Sequence, residues 1–147
     1  MNVFINPVTN IMHTHFTVCI SAAHTHGLLG QVSRDALNLA HHKQLAKRIS
    51  EVVGAANCTE SAGVYDGIAE RSYTVNCQDI AEVFELYNMG ANYNQECILV
   101  VDHAADTVAL LYMDGQTSLI GTALALAPCQ TVKSDYTCIG GQRYVVL

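Results

Sequence analysis

The chain has 147 residues, of which half are hydrophobic and only 14% charged, and its formal net charge is −6. That length fits one domain, residues 1–147, with enough chain to bury a core. The acidic balance and the lack of any basic run exclude a grip on nucleic-acid phosphates. No apolar stretch reaches the about eighteen residues of a membrane helix.

Residues 1–13 show no clear period and read as a loosely held N-terminal arm. Met1 to Thr14 lacks the basic start and apolar centre of a signal peptide. The expectation is therefore a cytoplasmic protein whose six cysteines (Cys19, Cys58, Cys77, Cys97, Cys129 and Cys138) are reduced thiols. His15 to Ala23 alternates as a strand, with Phe16, Val18 and Ile20 on one face. His24 to Gln31 is a Gly-containing loop. Ser33 is a good N-cap, with Asp35 placed to favour the helix dipole. Leu37, Ala40, Leu45, Ile49 and Val52 then form a helical stripe that stops at Gly54.

Ser61 to Asp66 is a short strand, Gly67 a turn, and Glu70 to Cys77 (ERSYTVNC) a second strand rich in Tyr, Thr and Val. Asp79 starts another helix, with Ile80, Val83, Phe84 and Tyr87 on one face and Gly90 at its end. Cys97 to Val101 (CILVV) is a continuous apolar run, as in a central strand buried on both sides. Ala104 to Asp106 turns the chain, and Thr107 to Met113 pairs back. Gly-punctuated strand material runs on to Leu147.

This order is the β-α-β-β-α-β of an α+β, ferredoxin-like sandwich with C-terminal extra strands. In that topology two helices cover one sheet face. The other face is bare and apolar, so something must cover it. Self-association there accounts for a charged share well below the usual of about 25%.

Few residues are placed for chemistry. His13 with His15, and His24 with His26, share strand faces and could each ligate a metal, but no nearby Cys or carboxylate completes a set, so no metal site is expected. His41 and His42 read as surface residues, or partly buried at the helix edge. No nucleophile elbow, P-loop or dinucleotide fingerprint occurs. Tyr65, in a Gly-flanked turn, and Glu70, opening a strand in a charge-poor chain, stand out. Their plain alternatives are a turn aromatic with its hydroxyl in water and an edge-strand charge paired with Arg71. Asp102, His103 and Asp106 form a weaker cluster that ordinary hairpin chemistry explains.

Several stretches, in order, resemble the bacteriophage S-adenosylmethionine-degrading enzymes, described as hydrolases and better understood as lyases. Thr17 to Ala22 (TVCISA) looks like the family's first strand with its Ser-Ala end. Gly63 to Tyr65 looks like its Gly-x-Tyr turn. Glu70 stands seven residues before Cys77, as the family's Glu stands before a strand-closing Cys. Gln95 to Val100 (QECILV), Thr107 to Tyr112, Tyr136-Thr137 and Arg143 extend the likeness.

The resemblance implies cleavage of S-adenosylmethionine to 5′-methylthioadenosine and homoserine lactone by the substrate's own carboxylate, with no cofactor. It implies a homotrimer with sites between subunits, at work in the host cytoplasm against restriction–modification. It makes Glu70 and Tyr65 catalytic and Ser21 and Ala22 substrate-binding, and Asp106 joins them from the neighbouring loop. The alternative is a non-enzymatic ligand- or protein-binding trimer, a nucleotide sensor or host-enzyme inhibitor, which the same fold supports.

Overall fold

The computed structural model describes residues 15–22, 31–65, 68–121, 124–126, 136–139 and 142–146. The predicted arm, His13, His24, His26, the Asp66-Gly67 turn and Cys129 lie outside them. The elements are β1 (Phe16–Ile20), α1 (Gln31–Val53), β2 (Cys58–Tyr65), β3 (Ile68–Cys77), α2 (Ile80–Asn92), β4 (Cys97–Asp102), β5 (Thr107–Tyr112), β6 (Thr117–Gly121), β7 (Leu124–Leu126), β8 (Tyr136–Ile139) and β9 (Gln142–Val146). The strand order is β6-β5-β4-β1-β3-β2-β8-β9-β7. Its centre, β4-β1-β3-β2, is compatible with a ferredoxin-like fold, so the α+β architecture with extra strands agrees with the sequence.

The boundaries differ in instructive places. Helix α1 begins at Gln31, so Ser33 lies inside it and is not its N-cap. Its C-terminal stop is as expected: Gly54 has φ 87°, a conformation that favours glycine. At α2 the cap is Asp79, whose side chain accepts the Glu82 N–H at 3.0 Å. Glu82 reaches back to the Gln78 N–H at 2.7 Å, a reciprocal arrangement close to a capping box. Strand β3 opens at Ile68, two residues before Glu70.

Both helices keep part of the expected stripe. On α1, Leu45, Ile49 and Val52 pack into the core, Leu37 and Ala40 are exposed, and His42 is buried as well. On α2, Val83 and Tyr87 pack inward as expected, but Ile80 and Phe84 face outward, and Leu86, Met89 and Gly90 are buried. Gly90 is there for proximity, not termination. A Cβ at that position would stand 2.7 Å from Met113 Cε and 3.2 Å from Ile98 Cγ2, so a side chain there would push on both.

Strand alternation sorts the sheet into two faces. Val18, Ile20, Tyr73, Val75, Cys77, Ile98 and Val100 join the helices in the main core. The residues between them form the other face, where Thr17, Thr74 and Asn76 are fully buried and Ser61 and Ser72 nearly so. Apolar groups hold the β4–β5 end of that face, with Cys19, Leu99, Val101 and Val108 in a second cluster.

The burial of that second face follows from the connectivity. β6 ends at Gly121 and β7 begins at Leu124, yet they occupy opposite ends of the strand order. Three Cα steps span at most about 11 Å. The two edges of the sheet must therefore meet, and the sheet curls into a barrel-like wrap with the helices outside. The directions agree. All eight pairings are antiparallel, so β6 and β7 run the same way. The expected bare, apolar face is thus corrected. It is the inside of the wrap, buried within one chain, and its centre is polar.

Candidate functional site

The β2–β3 hairpin sets the site. Its last pair is Tyr65 opposite Ile68, and Glu70 stands opposite Gly63. The side chains of residues 63–70 lie outside the described set, but the backbone register places position 70 in the same alternation as Ser72, Thr74 and Asn76, which line the inside of the wrap. The residue opposite it in the register is Gly63.

Ser21 joins this end of the barrel. It follows the last residue of β1, is 5% exposed, and its hydroxyl donates to the Arg71 carbonyl at 2.7 Å. The bond ties the end of β1 to the residue after Glu70. Of the five expected site residues, Ser21 is thus anchored beside the residue that follows Glu70, and the β2–β3 register carries Glu70 and Tyr65 further along the same hairpin.

The other two do not take the places expected of them. Ala22 is fully buried in the helix-side core, so its side chain packs against protein, and only its backbone is left for a ligand. Asp106 is an exposed turn residue with φ 52°. Its turn follows Asp102, which pairs with Phe16 at the start of β1. Ser21 follows the other end of that strand, about 13 Å of extended backbone away. Within one chain Asp106 and Glu70 stand at opposite ends of the barrel. The Asp106 turn has the structural role that its composition suggested: Asp102 Oδ1 accepts the Ala104 and Ala105 N–H groups at 3.0 and 3.1 Å.

Beside that turn lies a polar contact that sequence reasoning missed. His103 Nε2 is 2.8 Å from Thr17 Oγ1, which in turn donates to Asn76 Oδ1 at 3.4 Å. Which of the two donates in the Thr17–His103 contact depends on the tautomer of the ring. Burial pushes the His103 pKa down from its usual value, against the opposing pull of Asp102 and Asp106.

A second missed feature is His42. It is buried, stacked on Tyr73 with ring centroids 4.2 Å apart, and the Tyr73 hydroxyl donates to its carbonyl at 2.9 Å. The expected surface or edge position is corrected: this histidine docks α1 onto β3. Burial lowers its pKa, and Glu60, 3.6 Å from Nε2, opposes that shift. Burial likewise pushes the Tyr73 hydroxyl up to about 12, the Cys77 thiol to about 12 and the Cys58 thiol to about 11. Those thiols stay protonated at neutral pH and are poor nucleophiles.

The inside of the wrap also carries linked hydroxyls: Thr74 to Ser61 at 3.2 Å and Ser61 to Ser72 at 2.9 Å. Their signal was present in the sequence, as Thr59, Ser61, Ser72 and Thr74 recur at strand spacing in two adjacent strands. Among the described residues no group of three or more His, Cys, Asp or Glu is placed to hold a metal ion. Nor is any helix among them long and apolar enough to cross a membrane.

Among the described side chains at this end, the Ser21 hydroxyl anchored on the Arg71 carbonyl is the polar group beside the expected site. The sequence profile of the S-Adenosylmethionine lyase family matches residues 29–147. No curated protein matches the chain.

Proposed function

The chain belongs to the S-adenosylmethionine lyase family and is an S-adenosylmethionine lyase, and on that premise we propose that it releases 5′-methylthioadenosine and L-homoserine lactone. The observation that carries this reading is the family match over residues 29–147, which includes Tyr65 and Glu70.

The reaction needs little from the protein in covalent terms. A carboxylate oxygen of the substrate attacks its own γ-carbon, and the bond from that carbon to sulfur breaks. The electron pair goes to sulfur, giving a neutral thioether and a five-membered lactone, with no water or proton consumed. The enzyme must fold the methionine tail so that oxygen and carbon are in near-attack contact. A sulfonium and a carboxylate cancel each other on the way, so a site drier than water favours the transition state.

In this reading Glu70 holds the ligand through the ribose hydroxyls or the ammonium group. Tyr65 positions the tail, by its hydroxyl or by its ring against the sulfonium. Ser21, whose hydroxyl donates to the Arg71 carbonyl, holds the backbone just after Glu70. The sites lie between the subunits of a homotrimer, and the exposed Ile80, Phe84 and Leu119 supply apolar surface for such an assembly. Loss of the methyl donor then blunts restriction–modification in the host cytoplasm.

Two experiments test the reading. Purified protein incubated with S-adenosylmethionine should release methylthioadenosine and lactone, and in oxygen-18 water the first lactone should carry no label in its ring. Ring label at the earliest times would mean that water, not the substrate carboxylate, attacks. Glu70→Gln should lower kcat/KM by about a hundredfold with the fold intact by circular dichroism. Full activity in that variant removes Glu70 from the site.

A further inference from the structure

The β1–β3 register ends before β3 does. Its last Cα partners are Ile20 and Tyr73, while β3 reaches back to Ile68. On that further stretch the described backbone partner of β3 is β2, from Ala62 opposite Arg71 to Tyr65 opposite Ile68. The hairpin that carries positions 65 and 70 thus projects past the end of β1. A carbonyl of β3 that turns towards β1 there has left the ladder and needs another donor.

Ser21 supplies one. Its hydroxyl gives its proton to the Arg71 carbonyl at 2.7 Å, near the favoured length of an O–H···O bond. Chemistry fixes the direction, because a carbonyl oxygen only accepts. The bond is one more rung beyond the last backbone pair, made by a side chain. The anchor is itself held. Ser21 is buried, and its neighbours Ile20 and Ala22 both lie in the helix-side core, so the hydroxyl sits on a backbone packed on either side. The peptide that it grips follows Arg71, the residue next to Glu70. A buried hydroxyl requires a partner and adds no apolar burial, so the serine is accounted for by the bond it makes.

We propose that Ser21 is a positioning residue for the lyase reaction, acting on position 70 through the Arg71 backbone and not by touching the substrate. This differs from the direct substrate contact that the resemblance implies for Ser21, and it rests on the reading of Glu70 as the carboxylate that holds the substrate. The bond limits the sway of the projecting hairpin. A displacement of about 1 Å in a group that orients a substrate is enough to remove much of the rate.

The test is a double-mutant cycle on kcat and KM for S-adenosylmethionine, with S21A, E70Q and the pair. S21A is expected to lose about tenfold in kcat with KM within about twofold, the pattern of an interaction used in the transition state. In the E70Q background the same change should alter kcat/KM by less than about twofold, because residues that act through one another are not additive. S21T keeps the hydroxyl and should restore the rate. Should S21A fail to fold, S21C keeps the volume with a weaker donor and is read by the same measures. A raised KM with unchanged kcat in S21A means that the hydroxyl touches the substrate. A further loss of about tenfold on top of E70Q means that Ser21 acts independently of Glu70. Either result overturns the proposal. So does an S21A of unchanged kinetics beside an E70Q of low activity, which leaves the Glu70 reading standing. A fully active E70Q overturns both.

Discussion

Strand β3 has two sides that obey different rules. Outward, Tyr73, Val75 and Cys77 pack under the two helices with Val18, Leu45, Leu86 and Ile98. Inward, Ser72, Thr74 and Asn76 are as deeply buried but hold one another and their neighbours through hydrogen bonds. The outer contacts are non-directional and stabilise in proportion to the area removed from water. The inner ones depend on where each proton lies and lose their value when a single partner is removed. Stability is thus concentrated on one side of a strand and orientation on the other, two residues from Glu70. A fold divided in this way lets the site be held without asking the core to bend around it.

The largest effect should come from the outer side. Leu86 is fully buried on α2, and Leu86→Ala should cost about 2–5 kcal/mol, through lost transfer energy and a residual cavity. Urea unfolding measures this. The division between the faces predicts that kcat of the protein still folded is unchanged. A parallel fall in kcat would show that the helix side reaches the site after all.

Thr74→Val tests the inner side with nearly constant volume. It removes the hydroxyl that receives from Cys19 and gives to Ser61, at a cost of about 1 kcal/mol in stability. Here kcat should fall by about threefold, out of proportion to the small change in unfolding midpoint. If Thr74→Val loses stability and keeps its full rate, the inner face is structural only.

Much of this could be read from the chain because the patterns are local. The switch from alternation to a helical period marked β1, α1, β3 and α2, and the unbroken run Cys97 to Val101 marked the central strand. The strands that carry Tyr65 and Glu70 were legible because one hairpin joins them. What failed depends on contacts distant in sequence. On α2, Val83 and Tyr87 of the expected stripe pack inward, while Ile80 and Phe84 on its flank stay exposed and Leu86 and Met89 on the other flank are buried. The helical period alone does not say which flank turns inward; here it is the one that carries Gly90 towards Ile98 and Met113. Asp106 looked near the site because its loop follows an apolar strand, but antiparallel pairing of β4 with β1 carries that loop to the far end. The closure of the sheet was unreadable for a similar reason. It follows from pairings of β6 with β5 and of β7 with β9, and nothing in Thr117 to Leu126 specifies two different partners.

The smallest expected effect concerns a polar group that breaks the division. His42 sits on the helix side, among apolar residues, and its buried Nε2 has no hydrogen-bond partner, with Glu60 too distant at 3.6 Å. Its pKa is lowered chiefly by burial, with Glu60 opposing and Arg71 adding to the shift. An unfolded chain therefore takes up a proton at the usual value of 6.5, before the folded one does. Stability should be complete above that pH and fall as pH drops from there through the lower folded value. His103, with its pKa also lowered by burial, contributes in the same direction. Urea midpoints should thus be lower at pH 5.5 than at pH 7.5. His42→Phe retains an aromatic ring to stack on Tyr73 but has nothing to protonate, so its midpoint should depend less on pH, keeping only the part owed to His103. An unchanged slope in that variant would mean that His42 already takes up its proton in the folded state at the usual pH, and that Glu60 meets a charged ring at the edge of the core. The helix side would then contain a working ion pair, and the contrast between the two faces would be one of degree.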